Sequence, residues 1–299
     1  MFFDGIAPTD LILADGPLPG SRFRLRMAGS GPAVLLLHGA MQTHAMWHAV
    51  GPLLARRHTI ICPDLRGHGG SVKPPASPDH AAHGATAMAA DMRALMHQLL
   101  PGQRFVVAGH GRGAIVALAL GLAAADQVRG LAALDAVPDT PMPCDDMAAS
   151  LGQYKGLWFF EPRPLAEQVV SLSPDVWFKT GDAGQGGFFA PEALADYLAA
   201  ANDPAAMTGL REGLRAAATL DRLDQAVARG AGRRLACPVR VQWGQAGRLG
   251  GWYDPRARWR EVTGDASVTG TALPGGHYLA EQVPDLVAAD LAGFMAGLQ

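Results

Sequence analysis

The chain has 299 residues, 49% hydrophobic and 17% charged, with a formal net charge of −2. That is a globular composition with enough apolar surface for one large α/β domain or for a core with an inserted lid. The near-neutral charge and the lack of a long basic run argue against a nucleic-acid footprint and against an electrostatic membrane patch.

The N-terminal Met1-Phe2-Phe3-Asp4-Gly5 has neither the basic region nor the apolar region of a signal peptide. The longest apolar stretch, residues 114–125, is too short for a bilayer, which needs about 20 residues. Cys62, Cys144 and Cys237 show no metal-like spacing, so free thiols in a reducing cytoplasm are expected. No cofactor or metal is expected.

The predicted elements follow in chain order. Residues 33–37 form a continuous apolar run ending at His38-Gly39, the pattern of a strand buried on both faces. Similar runs cover 58–62, 105–108, 131–134, 239–243 and 267–273. They end at Pro63-Asp64, Gly109, Asp135, Gly244 and Pro274-Gly275-Gly276. Helices are predicted over 87–100, 114–125 and 286–298. In the first of these, Met88, Met92, Leu95 and Leu99 share a face, with Asp91 and Arg93 placed elsewhere on the surface. Alternating strands and helices imply a mostly parallel twisted sheet covered on both faces. Residues 139–234 break the rhythm: they are helix-prone and rich in aromatic residues and proline. They are read as a helical cap inserted in a core made of 1–138 and 235–299.

In such sheets the ligand site lies beyond the carboxyl ends of the strands, where the polar motifs fall. Gly109-His110-Gly111-Arg112-Gly113 sits between a strand and a helix, the context of a nucleophile elbow, but its central residue is glycine. His277 follows the last strand and can serve as a general base. Asp135 ends the strand after the elbow helix and can orient that histidine; the other usual place for the acid, 244–248, contains none. Backbone N–H groups of Ala40, after His38-Gly39, and of Arg112 are candidate oxyanion donors. His38 and His110 flank these donors and join the candidate binding set. His44, His48 and His68 lack a shared ligand spacing and are read as loop packing. Asp64 is read as a brace for its turn.

The first loop, residues 38–48, and the segment Pro63-Asp64-Leu65-Arg66-Gly67-His68-Gly69-Gly70-Ser71 resemble those of the haloacetate (fluoroacetate) dehalogenases. The elbow, the Trp158-Phe159-Phe160 piece and Arg215-Ala216-Ala217-Ala218-Thr219 are similar to that family as well. The resemblance implies the α/β-hydrolase fold and an Asp–His–Asp triad. Its base matches His277, its second acid Asp135, and its nucleophile Gly111. Arg112 matches an arginine that binds the substrate carboxylate. The second such arginine corresponds to Ile115. Trp158 matches a halide-pocket tryptophan, whereas the histidine and tyrosine of that pocket correspond to Leu157 and Leu214. A homodimer is implied by the same resemblance.

Covalent dehalogenation needs the missing nucleophile. The expected function is therefore hydrolysis or proton transfer on a largely apolar small molecule, driven by Asp135 and His277. The competing reading is an inactive small-molecule-binding homologue. A deliberate Asp-to-Gly change at 111 is a third reading, and Ile115 argues against it because one change would not alter the whole pocket.

Overall fold

Continuous apolar runs become strands because a strand buried on both faces has no polar side to show. The computed structural model describes residues 2–138, 178, 187–264 and 266–298. Six strands follow the six runs: β3 (Ala33–Leu37), β4 (Thr59–Pro63), β5 (Phe105–His110), β6 (Val128–Leu134), β7 (Val239–Gly244) and β8 (Val268–Leu273). They pair in parallel, and the side chains alternate between two cores. Leu35, Leu37, Val107 and Leu131 enter one core; Val34, Leu36, Val106 and Ala132 enter the other.

Two further strands were not expected. β1 (Thr9–Ile12) and β2 (Arg22–Ala28) pair antiparallel, and β2 pairs antiparallel with β4. They complete an eight-stranded sheet of order β1-β2-β4-β3-β5-β6-β7-β8. In β2, Phe23 and Leu25 point inward, while Arg22 is exposed. The period-two pattern is that of a half-buried strand.

Helices cover both faces. α1 (Val50–Ala55) packs on the face that buries Val34, while α2 (Ala85–Leu99) and α3 (Arg112–Ala123) pack on the face that buries Leu35. Met88, Met92 and Leu95 are fully buried in α2, as their spacing predicts. Asp91 corrects the surface expectation: it is fully buried, and both its oxygens accept from the Arg66 guanidinium. A carboxylate can be buried there because a bidentate cation satisfies it. Arg93 is exposed.

Between β6 and β7, the described residues 187–234 carry α4 (Pro191–Ala201), α5 (Pro204–Ala218) and α6 (Leu220–Gly230). Pro191 and Pro204 open their helices, where a missing N–H costs nothing. The Asp203 side chain caps α5 by accepting from Ala205 N–H at 2.8 Å. α7 (Leu249–Trp252) and α8 (Pro255–Arg260) follow β7. After β8 come α9 (Leu279–Gln282) and α10 (Pro284–Ala296), the latter packing beside α1. Leu157, Trp158 and Cys144 lie outside the described residues, whereas Cys62 and Cys237 are free and buried. Among the described residues, no helix is long and apolar enough to cross a membrane.

Candidate active site

β5 ends at His110 and α3 begins at Arg112, so Gly111 makes the whole turn. Its φ of 51° and ψ of −115° are a conformation that side chains rarely adopt. The turn is tight on both sides. A Cβ on Gly109 would stand 2.3 Å from the Gly113 backbone, and one on Gly113 would stand 2.6 Å from the carbonyl oxygens of Leu37 and His38. A Cβ on Gly111 meets nothing so close: its nearest neighbours are His277 Cε1 at 3.8 Å, and Gly39 Cα and His277 Nε2 at 3.9 Å. Position 111 therefore faces the edge of the His277 ring, with the His38-Gly39-Ala40 loop beside it.

The loop between β8 and α9 carries His277. Gln282 Oε1 accepts from Gly276 N–H at 2.8 Å and braces the turn just before it. His277 Nδ1 lies 2.7 Å from Asp135 Oδ2, and Gly244 N–H donates to Asp135 Oδ1 at 3.1 Å. A carboxylate accepts only, so Nδ1 carries the proton and Nε2 is left as the basic nitrogen. The Asp135 side chain is 5% exposed and that of His277 37%. Asp135 has a φ of 47°, the left-handed region, just beyond the end of β6. The end of β7, which offers no acid, supplies the backbone N–H that helps hold this one.

His110 is buried behind His277. Its Nε2–H donates to the His277 carbonyl oxygen at 2.8 Å, and the two rings lie 4.5 Å apart. Burial, then repulsion from His277, holds the imidazole well below its ordinary pKa, so it stays neutral. His38 is fully buried, with Nδ1 donating to Gly39 O at 2.8 Å and Nε2 accepting from Leu65 N–H at 2.9 Å. Both ring nitrogens serve the backbone, so His38 shapes the loop and offers no hydrogen bond to a ligand. Burial lowers its pKa too.

Three candidate binding residues are held within the fold. Arg112 is not a free anion ligand: its guanidinium pairs with Asp221 of α6 and donates to His83 O at 3.0 Å. Ile115 and Leu214 are each part-buried, and they pack against different cores. An aromatic wall beside the base was not assigned to the site from sequence. Tyr278 lies 5.0 Å from the His277 ring and 5.2 Å from Phe189, which packs on Tyr197 at 5.9 Å. Tyr278 was accessible as the immediate neighbour of His277; Tyr197 belongs to α4 and gave no such signal. Its hydroxyl donates to the buried Glu281, which also faces His48 Nε2 at 3.1 Å.

His44, Asp64 and His68 have local partners. Asp64 accepts from His44 N–H and from Gly70 N–H, both at 2.7 Å, and lies 2.8 Å from His44 Nδ1. Burial alone would raise its pKa, but the hydrogen bond and charge of His44 prevail and hold it at about 2. It braces the turn, as expected. His68 Nδ1 donates to Arg66 O at 3.0 Å; burial, then repulsion from His38, lowers its pKa to about 3. No group of three or more potential metal ligands occurs among the described residues.

The chain as a whole is similar to known proteins. A family model of the alpha/beta hydrolase fold matches residues 32–174. The chain is 37% identical over 278 residues to a fluoroacetate dehalogenase of Burkholderia sp., covering 90% of this chain and 89% of that protein. It is 30% identical over 299 residues to a soluble epoxide hydrolase of Corynebacterium sp. (strain C12), covering 97% and 99%. A provisionally assigned epoxide hydrolase structure from Pseudomonas aeruginosa matches with a TM-score of 0.88 and 32% identity, over 100% of this chain and 98% of that one. With this sheet order, this strand-end site and these relatives, the chain belongs to the α/β-hydrolase superfamily, alongside fluoroacetate dehalogenase and epoxide hydrolases.

Proposed function

We propose that the chain is a hydrolase that works without a covalent nucleophile on a largely apolar small molecule such as an ester or lactone. One observation carries this reading. His277 is held at 2.7 Å by Asp135, and the edge of its ring bearing Nε2 faces Gly111, a position with no side chain to attack. A water beside Gly111 gives a proton to Nε2 as its oxygen adds to the substrate carbonyl carbon. Asp135 holds the tautomer and offsets the imidazolium charge. The backbone N–H groups of Ala40 and Arg112 are the donors for the oxyanion. Its collapse expels the alkoxide, which recovers the proton from His277. The same base can instead remove a carbon-bound proton, giving an elimination or isomerisation.

Helices α4–α6 serve in this reading as the described part of a cap over the strand ends. Support comes from the Asp221–Arg112 and Tyr197–Glu281 contacts, each of which ties a helix of the insertion to the core. Fluoroacetate dehalogenation is not the proposed activity, because attack on the carbon bearing halogen requires the carboxylate that Gly111 lacks. A cytoplasmic homodimer remains part of the proposal.

The test is incubation of the protein and its His277→Ala variant with haloacids, esters, lactones and epoxides, with products read by mass spectrometry. Turnover that vanishes in the variant is the expected result. Turnover that survives unchanged would rule out the proposed base. Ligand binding with no product on any substrate would favour the second reading, a non-catalytic binding homologue. That reading draws on Gly111, Ile115 and Leu214 standing where the family's polar groups are expected, with Arg112 already engaged.

A further inference from the structure

Arg112 follows Gly111 directly, yet its charge is spent inside the protein. Its side chain is 6% exposed and that of Asp221 is 3% exposed. One terminal guanidinium nitrogen pairs with Asp221, and the other donates to His83 O at 3.0 Å. The second oxygen of Asp221 accepts from Ala85 N–H at 2.8 Å, which fixes the carboxylate between α2 and α3. A guanidinium out of water is a strong carboxylate ligand. Here the carboxylate is the chain's own. An incoming anion would have to displace Asp221 and leave that charge buried without a partner, which is strongly unfavourable. One turn further along α3, Ile115 offers no second cation.

We propose that Asp221 is a specificity-determining residue: it fills Arg112 as an internal carboxylate and reserves the site beside His277 for uncharged substrates. Neutral esters, lactones and epoxides are then admitted, and carboxylates are disfavoured. The inference rests on the reading that this pocket is the substrate site, but it concerns charge selection and not the base.

Fluoroacetate and fluoroacetamide are an anionic and a neutral probe of nearly equal size, and fluorine NMR titration reads their binding without any turnover. On the unmodified protein, fluoroacetamide is expected to bind at least as tightly as fluoroacetate. A preference for fluoroacetate of about tenfold or more would overturn the proposal. Asp221→Asn keeps an acceptor for Ala85 N–H, removes the charge and replaces the oxygen that accepts from Arg112 with an amide donor. In this variant fluoroacetate affinity is expected to rise by about tenfold or more, and the gain should disappear when Arg112→Gln is added. A folded Asp221→Asn protein with no gain would also overturn it. If that variant does not fold, the titration of the unmodified protein decides. Failure of the proposed hydrolysis would show instead in the His277→Ala comparison, so the two failures are distinguishable.

Discussion

His277 Nδ1 stands 2.7 Å from Asp135 Oδ2 although the two residues are 142 positions apart in the chain. In the proposed reaction Asp135 supplies no reacting atom; it fixes which nitrogen of His277 is basic. Asp135→Asn would leave the contact but let the amide favour the other tautomer. Turnover is expected to fall by about 10³–10⁴-fold, with little change in the unfolding midpoint. Steady-state kinetics on a substrate found in the panel checks this. An unimpaired Asp135→Asn enzyme would remove Asp135 from the mechanism.

Gly111→Asp separates a lost nucleophile from a remodelled pocket. The added Cβ has ordinary contacts at 3.8–3.9 Å, but the φ of 51° strains any side chain. The variant is expected to fold with a loss of about 1–3 kcal/mol. Fluoride release from fluoroacetate should stay undetected, because Arg112 is engaged and Ile115 is apolar. A fluoride electrode and a urea titration measure the two effects. Robust fluoride release would mean that only the nucleophile separates this chain from a dehalogenase.

Acid should destabilise the fold earlier than carboxylate titration alone would. His38, His68 and His110 are buried neutral, with pKa values lowered chiefly by burial, His68 to about 3. The unfolded chain, with histidines near 6.5, then binds more protons than the folded one. Their contribution is complete above about pH 6.5 and is lost as pH falls below it, for His68 down to about pH 3, at up to about 1.4 kcal/mol per pH unit for each histidine. Asp64, held at about 2, adds a further loss only as pH falls from about 4 through 2. Urea midpoints from pH 8 to pH 3 should show this slope, and His68→Asn should reduce it. A flat profile between pH 7 and pH 4 would contradict the burial argument.

The loop beside Gly111 is as tightly packed as the elbow. A Cβ on Gly39 would stand 2.4 Å from His110 Nδ1 and 2.9 Å from Gln42 Oε1. Gly39→Ala must therefore displace the His110 and Gln42 side chains or the loop that carries Ala40. It is expected to cost about 1–3 kcal/mol in thermal unfolding and to lower turnover more than binding. Equal loss in both would place Ala40 outside the oxyanion site.

Tyr197→Phe removes a donor from the buried Glu281 carboxylate, four residues after His277. A buried acceptor left short of a partner costs about 1–3 kcal/mol. Thermal unfolding should show that loss; no shift would mean that His48 alone satisfies Glu281.

Local pattern was enough to find the parallel strands and to mark candidate residues at their ends. Strands buried on both faces need unbroken apolar runs, and parallel sheets leave their polar motifs at the carboxyl ends, so Gly111, Asp135 and His277 could be read before any contact was seen. β2 escaped because Arg22, Arg24 and Arg26 alternate with its inward residues and broke the apolar run. Long-range pairing carries no local signature at all. Asp91 reads as a surface residue until Arg66 meets it, and Arg112 reads as a substrate ligand until Asp221, 109 residues away, takes its charge. Periodicity reports which face of an element is apolar. Whether a charge is free to act depends on which partner the folded chain brings to it, and only the tertiary structure decided that.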